Sequence, residues 1–489
     1  MRNTTRRELI AATAATALAS AVPPAYGKRL LSRRARIGPG EFVDGVASGE
    51  PGPRAVTFWS RLRTERPRSG ARLIVATDEG MTDVVASAVV PTGRSVAHTL
   101  KARVGGLDPH SEYFYVWESG TDVSEVGRTR TRPPEGSAAP LRIAFSSCQR
   151  YSSGYFTAHA HAAAEDLDAY VFLGDYIYER DRVGVHPGRD EPFNANDLGS
   201  YRRKYQQYRT DPALRELHRL HPALHVWDDH ELENNYSDNR PAPAALQRAA
   251  AYRAAFEWLP RVVEPSERHR VYRRLPWGAF AELFLLDERQ YRTGNGDGQP
   301  RRILGDAQMS WLLDGLRNSR ARWKIVCQQV IVAQDPYGDG QPNLDTWDGY
   351  PEDRARLLGE IERNGIQNVV FLTGDAHVFA CNLLATDFGR LGDGSQVPAA
   401  AVEYVGGSIT TEGFDRSEAE VQAGAPWTRQ YNGRDHGYAL LTLDDGKLVT
   451  EYRRSDLSNP SGATQTFERF TQNAGFAQVS RESAAPPPT

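Results

Sequence analysis

Between Leu141 and Asp375 short apolar runs alternate with longer helical stretches, and four of the runs end beside residues able to bind a metal or move a proton. The runs are LRIAFSS (141–147), AYVFLGD (169–175), ALHVWDD (223–229), AELFLLD (281–287), KIVCQQVIV (324–332) and NVVFLTGD (368–375). Such alternation predicts an α/β or layered α+β domain. Residues 155–167, 243–257 and 351–363 read as helices; Pro243 and Pro351 suit the first turns of the latter two. Cys148, Asp175, Asp228-Asp229-His230 and Asp375-Ala376-His377 follow their strands directly. Ligands of open α/β sheets gather at the carboxyl ends of strands, so the four clusters are expected to converge on one site.

The residue types at those ends define the chemistry. Asp175 can bridge two metals, and Tyr178, three residues on, can offer a phenolate to one of them. Asp375 and His377, two apart, point the same way if the backbone stays extended, pairing an oxygen donor with an imidazole. Asp229 and His230 add a carboxylate and an imidazole, Cys148 a thiolate, and Asn234 or Asn235 an amide oxygen. A different enzyme class uses Cys148 as nucleophile with His230 or His377 as base, making a cysteine hydrolase. A third reading, a surface-binding sandwich with a degenerate catalytic domain, is opposed by the intact set Asp175, Tyr178, Asp229, His230, Asp375 and His377.

At 489 residues the chain exceeds one ordinary domain. Ahead of the alternating region lie AVTFWSRL, ARLIVATD, VASAVVPT, VAHTLKARV and SEYFYVWES, closely spaced strands separated by turn residues. The turn Gly106-Leu107-Asp108-Pro109 followed by Tyr113 and Tyr115 resembles the edge-crossing turn and tyrosine of a fibronectin-like sandwich. A small β-sandwich domain is therefore expected over residues 40–133. The catalytic domain is expected over 140–470, joined by the linker Arg132-Pro133-Pro134-Glu135-Gly136-Ser137, with a disordered tail at 483–489. Residues 1–27, with Arg6-Arg7, an Ala-rich apolar stretch and small residues around Ala17–Ala21, have the layout of a twin-arginine signal peptide. Secretion, or delivery to the periplasmic or cell-wall space, by the twin-arginine export machinery follows. No stable membrane span is expected. A net charge of −3 offers no nucleic-acid-binding surface, and a monomer is expected. Three cysteines cannot form a disulfide framework; Cys327 and Cys381 read as small buried hydrophobes, with a mutual disulfide as the lesser option.

Eight segments carry a family resemblance: FVDGVASGEPGPRAVTFWSRL (42–62), AFSSCQRYSSGYF (144–156), FLGDYIYE (172–179), VWDDHELENNYSD (226–238), LDERQYR (286–292), WDGYPEDR (347–354), VVFLTGDAHVFACNL (369–383) and VEYVGGSITTEGF (402–414). In these the chain resembles the PhoD-like alkaline phosphatase/phosphodiesterase family, a branch of the metallophosphoesterases. The resemblance implies a layered α+β metallophosphoesterase catalytic domain, β-sheets flanked by helices. It implies a metal-dependent phosphoesterase that cleaves phosphomonoesters or phosphodiesters by attack of metal-activated water or hydroxide. A phospholipase-D-type phosphodiesterase on the same fold is the alternative. Position by position, Asp175 resembles the bridging carboxylate, and Cys148, Tyr178 and His377 resemble ligands of a ferric ion (Fe3+). Asp375 stands where related enzymes often carry histidine, which favours a harder cation, calcium (Ca2+). Asp229 stands where the superfamily has a metal-binding asparagine, and Asn235 is a competing candidate. His230 matches the non-ligand histidine that steadies the transition state or protonates the leaving alkoxide, and Arg289 is a candidate clamp for the phosphate of the substrate.

Overall fold

The computed structural model describes residues 36–236, 242–261, 270–293, 301–334, 342–391 and 399–483. The signal-peptide segment and the residues beyond Ser483 lie outside the described residues.

Seven strands form the N-terminal region: β1 (Val46–Gly49), β2 (Ala55–Arg61), β3 (Arg68–Ala76), β4 (Val84–Gly93), β5 (Thr99–Gly105), β6 (Glu112–Glu118) and β7 (Gly127–Arg130). Strands β4-β3-β6-β7 form one sheet, and β1-β2-β5 face it across a core of Val56, Phe58, Leu73, Val75, Tyr115 and Trp117. The Tyr113 hydroxyl accepts a hydrogen bond from the Asp108 N–H at 2.7 Å, tying the turn to its strand. The region is not free-standing, however. Strand β1 pairs in parallel with a strand of the C-terminal region, Ser48 opposite Pro222 and Gly49 opposite Ala223. The short β1 and β7 were missed in the sequence, being too brief for a period to register.

The C-terminal region supplies β8 (Leu141–Ser146), β9 (Ala169–Leu173), β10 (Pro222–Val226), β11 (Arg273–Trp277), β12 (Ala281–Leu285), β13 (Trp323–Gln328) and β14 (Val369–Thr373). It continues through β15 (Phe379–Leu384), β16 (Ala401–Gly406), β17 (Thr428–Asn432), β18 (Gly437–Leu443), β19 (Lys447–Ser455), β20 (Thr464–Asn473) and β21 (Ser480–Ser483). The last two carry the domain past the expected limit at 470, and Ser483 pairs with Glu468 rather than opening a tail. A ten-stranded sheet runs β21-β20-β19-β18-β8-β9-β10-β1-β2-β5; a seven-stranded sheet runs β11-β12-β13-β14-β16-β15-β17. Strands β8, β9 and β10 are parallel neighbours in the first, as are β12, β13 and β14 in the second.

The period of two in these strands explains how the sheets stack. Ile143, Phe145, Val171, Leu173 and Leu224 face Leu283, Leu285, Ile325, Val370 and Leu372 in one core. The intervening Ala144, Tyr170 and Phe172 turn outward under the helices Thr157–Ala164, Leu198–Tyr208, Pro212–Leu220 and Ala242–Trp258. Phe284, Val326 and Phe371 do the same under Gly305–Asn318 and Pro351–Arg363. Each fully buried aliphatic or phenylalanine side chain contributes about 1.5–3 kcal/mol, so strands apolar on both faces select this four-layer arrangement. Cys327 and Cys381 lie in the core between the sheets as free, buried thiols, not as a disulfide.

One glycine fixes how closely two functional loops approach. Gly174, after β9, has φ 110°, and a Cβ there would meet the Asp228 Cβ at 2.3 Å. Gly184, also at positive φ (71°), would meet nothing within 4 Å. Gly184→Ala is therefore expected to cost about 1 kcal/mol from backbone strain alone, and Gly174→Ala about 2–4 kcal/mol once the clash is added. Equal losses in the two variants on urea unfolding would contradict this reading of Gly174.

Candidate metal centre

The two parallel triplets open at the same edge. Cys148 follows β8, Asp175 follows β9, Asp228, Asp229 and His230 follow β10, Arg289 follows β12, and Asp375 and His377 follow β14. Cys148, Asp175, Asn235, Asp375 and His377 all hold left-handed backbone, with φ between 52° and 58°. Non-glycine residues rarely adopt that region, and they cluster where a site demands it. Asp375 and His377 thus converge through a turn, not through the extended backbone expected from their spacing.

Three groups of donors result, each with its ligand atoms within 4.8 Å of one another: Cys148, Asp175 and His377; Asp175, Asp229 and His230; Asp228, Asp229 and Asp375. Asp175 belongs to two of them. Tyr178, fully buried, lies beside both Asp175 and Cys148, and its hydroxyl accepts from Thr411 Oγ1 at 2.9 Å. Asn235 approaches through its backbone, its N–H donating to Asp229 at 2.7 Å while the residue stays exposed.

Electrostatically the cluster is short of positive charge. Burial, then the neighbouring Asp229, Asp228 and Glu231, push the Asp175 carboxyl well above its ordinary range. Burial and Asp228 do the same to Asp375. Burial works against the Asp229 charge too, yet Arg289, His230 and the Asn235 N–H win and hold it low. Burial and nearby carboxylates push up the Cys148 thiol and the Tyr178 phenol. Carboxylates, a thiol and a phenol in this condition are what a bound cation relieves, so the donor set fits metal.

Buried groups outside the donor set hold it in place. The Glu231 carboxylate accepts from the N–H groups of Asp175 (3.1 Å), Tyr176 (2.7 Å) and Asp228 (2.8 Å), stapling two loops together. Glu179 accepts from His230 Nδ1 at 2.7 Å, and the imidazole lies 4.2 Å from the Tyr178 ring. His377 Nδ1 donates to the Glu412 carbonyl at 3.0 Å, which leaves Nε2 for a metal. Glu412 in turn holds Arg182 through both oxygens, at 2.8 and 3.1 Å. Glu179 and Glu231 were missed as functional positions, although each directly follows a motif residue (Tyr178, His230).

Arg289 departs from the expectation of a phosphate clamp. It is fully buried, with Nε on Asp228, Nη1 on Asp345 at 2.9 Å and Nη2 on Asp375 at 3.2 Å. Its charge is spent on the carboxylates, and it acts as their internal counter-ion. Arg150 is the cation placed differently: partly exposed, 4.0 Å above the Tyr178 ring, its Nε without an acceptor among the described residues. Cys148 is poorly suited as a nucleophile. Its thiol is raised by burial and donates to Ser147 Oγ at 3.0 Å, with no imidazole hydrogen-bonded to it among the described residues.

Comparisons with known proteins give the chain its relatives. A family model described as PhoD-like phosphatase matches residues 143–452, and one for the PhoD-like phosphatase N-terminal domain matches 28–133. The chain is 35% identical to alkaline phosphatase D of Bacillus subtilis (strain 168) over 485 residues, covering 90% of this chain and 82% of that protein. A solved structure of PhoD superposes with a TM-score of 0.84 at 31% identity, over 93% of this chain and 94% of the other. Yellow lupin purple acid phosphatase PPD1 superposes with a TM-score of 0.61 at 13% identity, over 89% and 74%, a likeness of fold.

The electrostatics set a pH dependence. Unfolded, these carboxyls ionise near their ordinary values of about 4; folded and metal-free, Asp175, Asp228 and Asp375 are raised and Glu231 is raised to about 7. Above pH 4 these carboxyls therefore bind more protons folded than unfolded, and their contribution to stability falls as pH rises toward and through 7; histidines buried in the neutral form work the opposite way, but only below their unfolded value of about 6.5. The Tm of metal-stripped protein is expected to drop between pH 7 and 8, and added cations to flatten that slope. A metal-free Tm that rises over the same interval would contradict the charge shortage.

Proposed function

Since the chain belongs to the PhoD-like phosphatase family and is thereby a phosphoric ester hydrolase, we propose that it is an exported, metal-dependent phosphoesterase of monoesters or diesters. The observation that carries this is a linked run of donor groups, in which Asp175 joins Cys148 and His377 to Asp229 and His230, and Asp229 joins these to Asp228 and Asp375. Cys148 and His377, with Tyr178 alongside, offer thiolate, imidazole and phenolate, which suits a ferric ion. Asp228, Asp229 and Asp375 offer only oxygen, which suits calcium. Bound there, the cations would supply Lewis-acid charge and a water made acidic enough to attack the ester at neutral to alkaline pH.

The chain's own residues do the rest. Glu179 fixes the His230 ring through Nδ1; burial opposes the charged ring, but Asp229 and Glu179 outweigh it and favour the protonated form, leaving Nε2 to give a proton to the departing alkoxide. Arg150 presents a guanidinium to the phosphoryl oxygens, the role its partly exposed position above Tyr178 supports. Arg289 limits repulsion among the carboxylates when the site is incompletely loaded.

Two further readings stand on narrower support. The N-terminal region is read as fibronectin-like on its three-plus-four strand arrangement and its Tyr113–Asp108 hydrogen bond. Export by the twin-arginine route rests on Arg6-Arg7 and the Ala-rich stretch that follows. Among the described residues no helix is long and apolar enough to cross a membrane.

The metal assignment is tested by colour and chelation together. Purified protein is expected to show a visible charge-transfer band. Calcium-selective chelation should abolish turnover of a chromogenic ester while leaving the band, and Tyr178→Phe should shift or bleach it. A colourless, fully active preparation holding only zinc would refute iron and calcium. His230→Ala is expected to lower kcat by about 10²–10⁴ with poor leaving groups and by less with good ones; equal losses would remove the proton-donor role.

A further inference from the structure

Behind the loop that carries Asp175 and Tyr178, where the N-terminal strands meet the catalytic layer, a cation is buried without a hydrogen-bond acceptor. Arg209, just past the helix Leu198–Tyr208, is 1% exposed, and none of its three guanidinium nitrogens finds an acceptor among the described residues. Its guanidinium carbon lies 4.6 Å from the Trp59 ring centroid. Such a contact offsets only part of the penalty for removing a charge from water.

The surrounding charges do not balance it. Asp44 is committed to Arg61 at 2.7 Å, Asp211 to Arg189 at 2.7 Å, and Glu216 to Arg219. Arg215 adds a second cation, with Nη1 on the Val43 carbonyl and Nε lacking an acceptor. Two imidazoles also face this pocket with unsatisfied nitrogens, Nδ1 of His218 and both ring nitrogens of His225, their ring centroids 5.6 Å apart. Burial, aided by Arg209, holds both histidines neutral. Each neutral ring offers at most one N–H, so the spare donors are chiefly those of the Arg209 guanidinium, and the excess positive charge is that of Arg209 and Arg215. A water molecule would satisfy the first and not the second.

We propose that Arg209 holds a small inorganic anion of halide size, seated between the N-terminal strands and the catalytic domain. Trp59, Tyr115 and Tyr176, all fully buried, lie around the guanidinium, and so enclosed a position favours a monatomic anion over phosphate or sulfate. The anion neutralises Arg209, takes the spare N–H groups, and joins the two regions at the back of the Asp175 loop. It is separate from the carboxylate cluster, whose charge calls for cations.

The test uses the full purified chain, dialysed free of halide and melted at constant ionic strength with chloride exchanged for gluconate. Tm is expected to rise with chloride or bromide, by about 1–2 °C per tenfold increase above the dissociation constant, and Arg209→Met to abolish that rise. Crystals grown in bromide are expected to show an anomalous peak within hydrogen-bond reach of the guanidinium. If Arg209→Met fails to fold, the bromide crystals of the unaltered protein decide alone. An ordered water there without anomalous signal, or a Tm that follows ionic strength regardless of anion, overturns the proposal.

Discussion

Repulsion among the buried Asp175, Asp228 and Asp229 and the half-buried Asp375, gathered at one edge of two stacked sheets, is the constraint to which the rest of the structure answers. Like charges at such spacing in a dry environment cannot all ionise unaided. The fold responds with Arg289, whose guanidinium nitrogens face Asp228, Asp345 and Asp375, and with the buried Arg292, which shares Asp345 at 2.6 Å. These arginines do not balance that many carboxylates, and the raised Asp175 and Asp375 carboxyls record the remainder. A site left in this state is built for cations of its own.

Holding the arrangement requires strain and staples. Five residues of the site keep left-handed backbone, a conformation worth of order 1–3 kcal/mol apiece against them. The stacked sheets set the loops in place, and Glu231 ties the β9 loop to the β10 loop through three N–H groups. The tight approach of Gly174 to Asp228 belongs to the same device. Where the backbone is so constrained, the side chains meet in a geometry that propensity alone would never select.

Much of this was legible in the sequence, for identifiable reasons. The runs from LRIAFSS to NVVFLTGD became strands because they are apolar on both faces, and that same property buried them between helices and a second sheet. Cys148, Asp175, Asp229 and His377 gathered as expected because strand ends in parallel sheets share an edge. Tertiary pairing was not legible. Nothing local in VASG reveals that β1 joins the catalytic sheet, nor that Arg289 would be enclosed by acids from three other loops. The turn between Asp375 and His377, the Glu179–His230 contact and the cation beneath Trp59 depend likewise on distant chain segments.

The central claim is that Asp175 is shared by two metal positions, and elemental analysis of Asp175→Asn measures it most directly. Asparagine keeps the size and removes the charge, so the loop pinned by Glu231 has no steric reason to move. The account predicts that the unaltered protein carries more than one metal per chain and that the variant loses metal from both positions, with turnover down by about two orders of magnitude or more. A variant that retains the full metal content would contradict the bridging role, and with it the account of how this site is assembled.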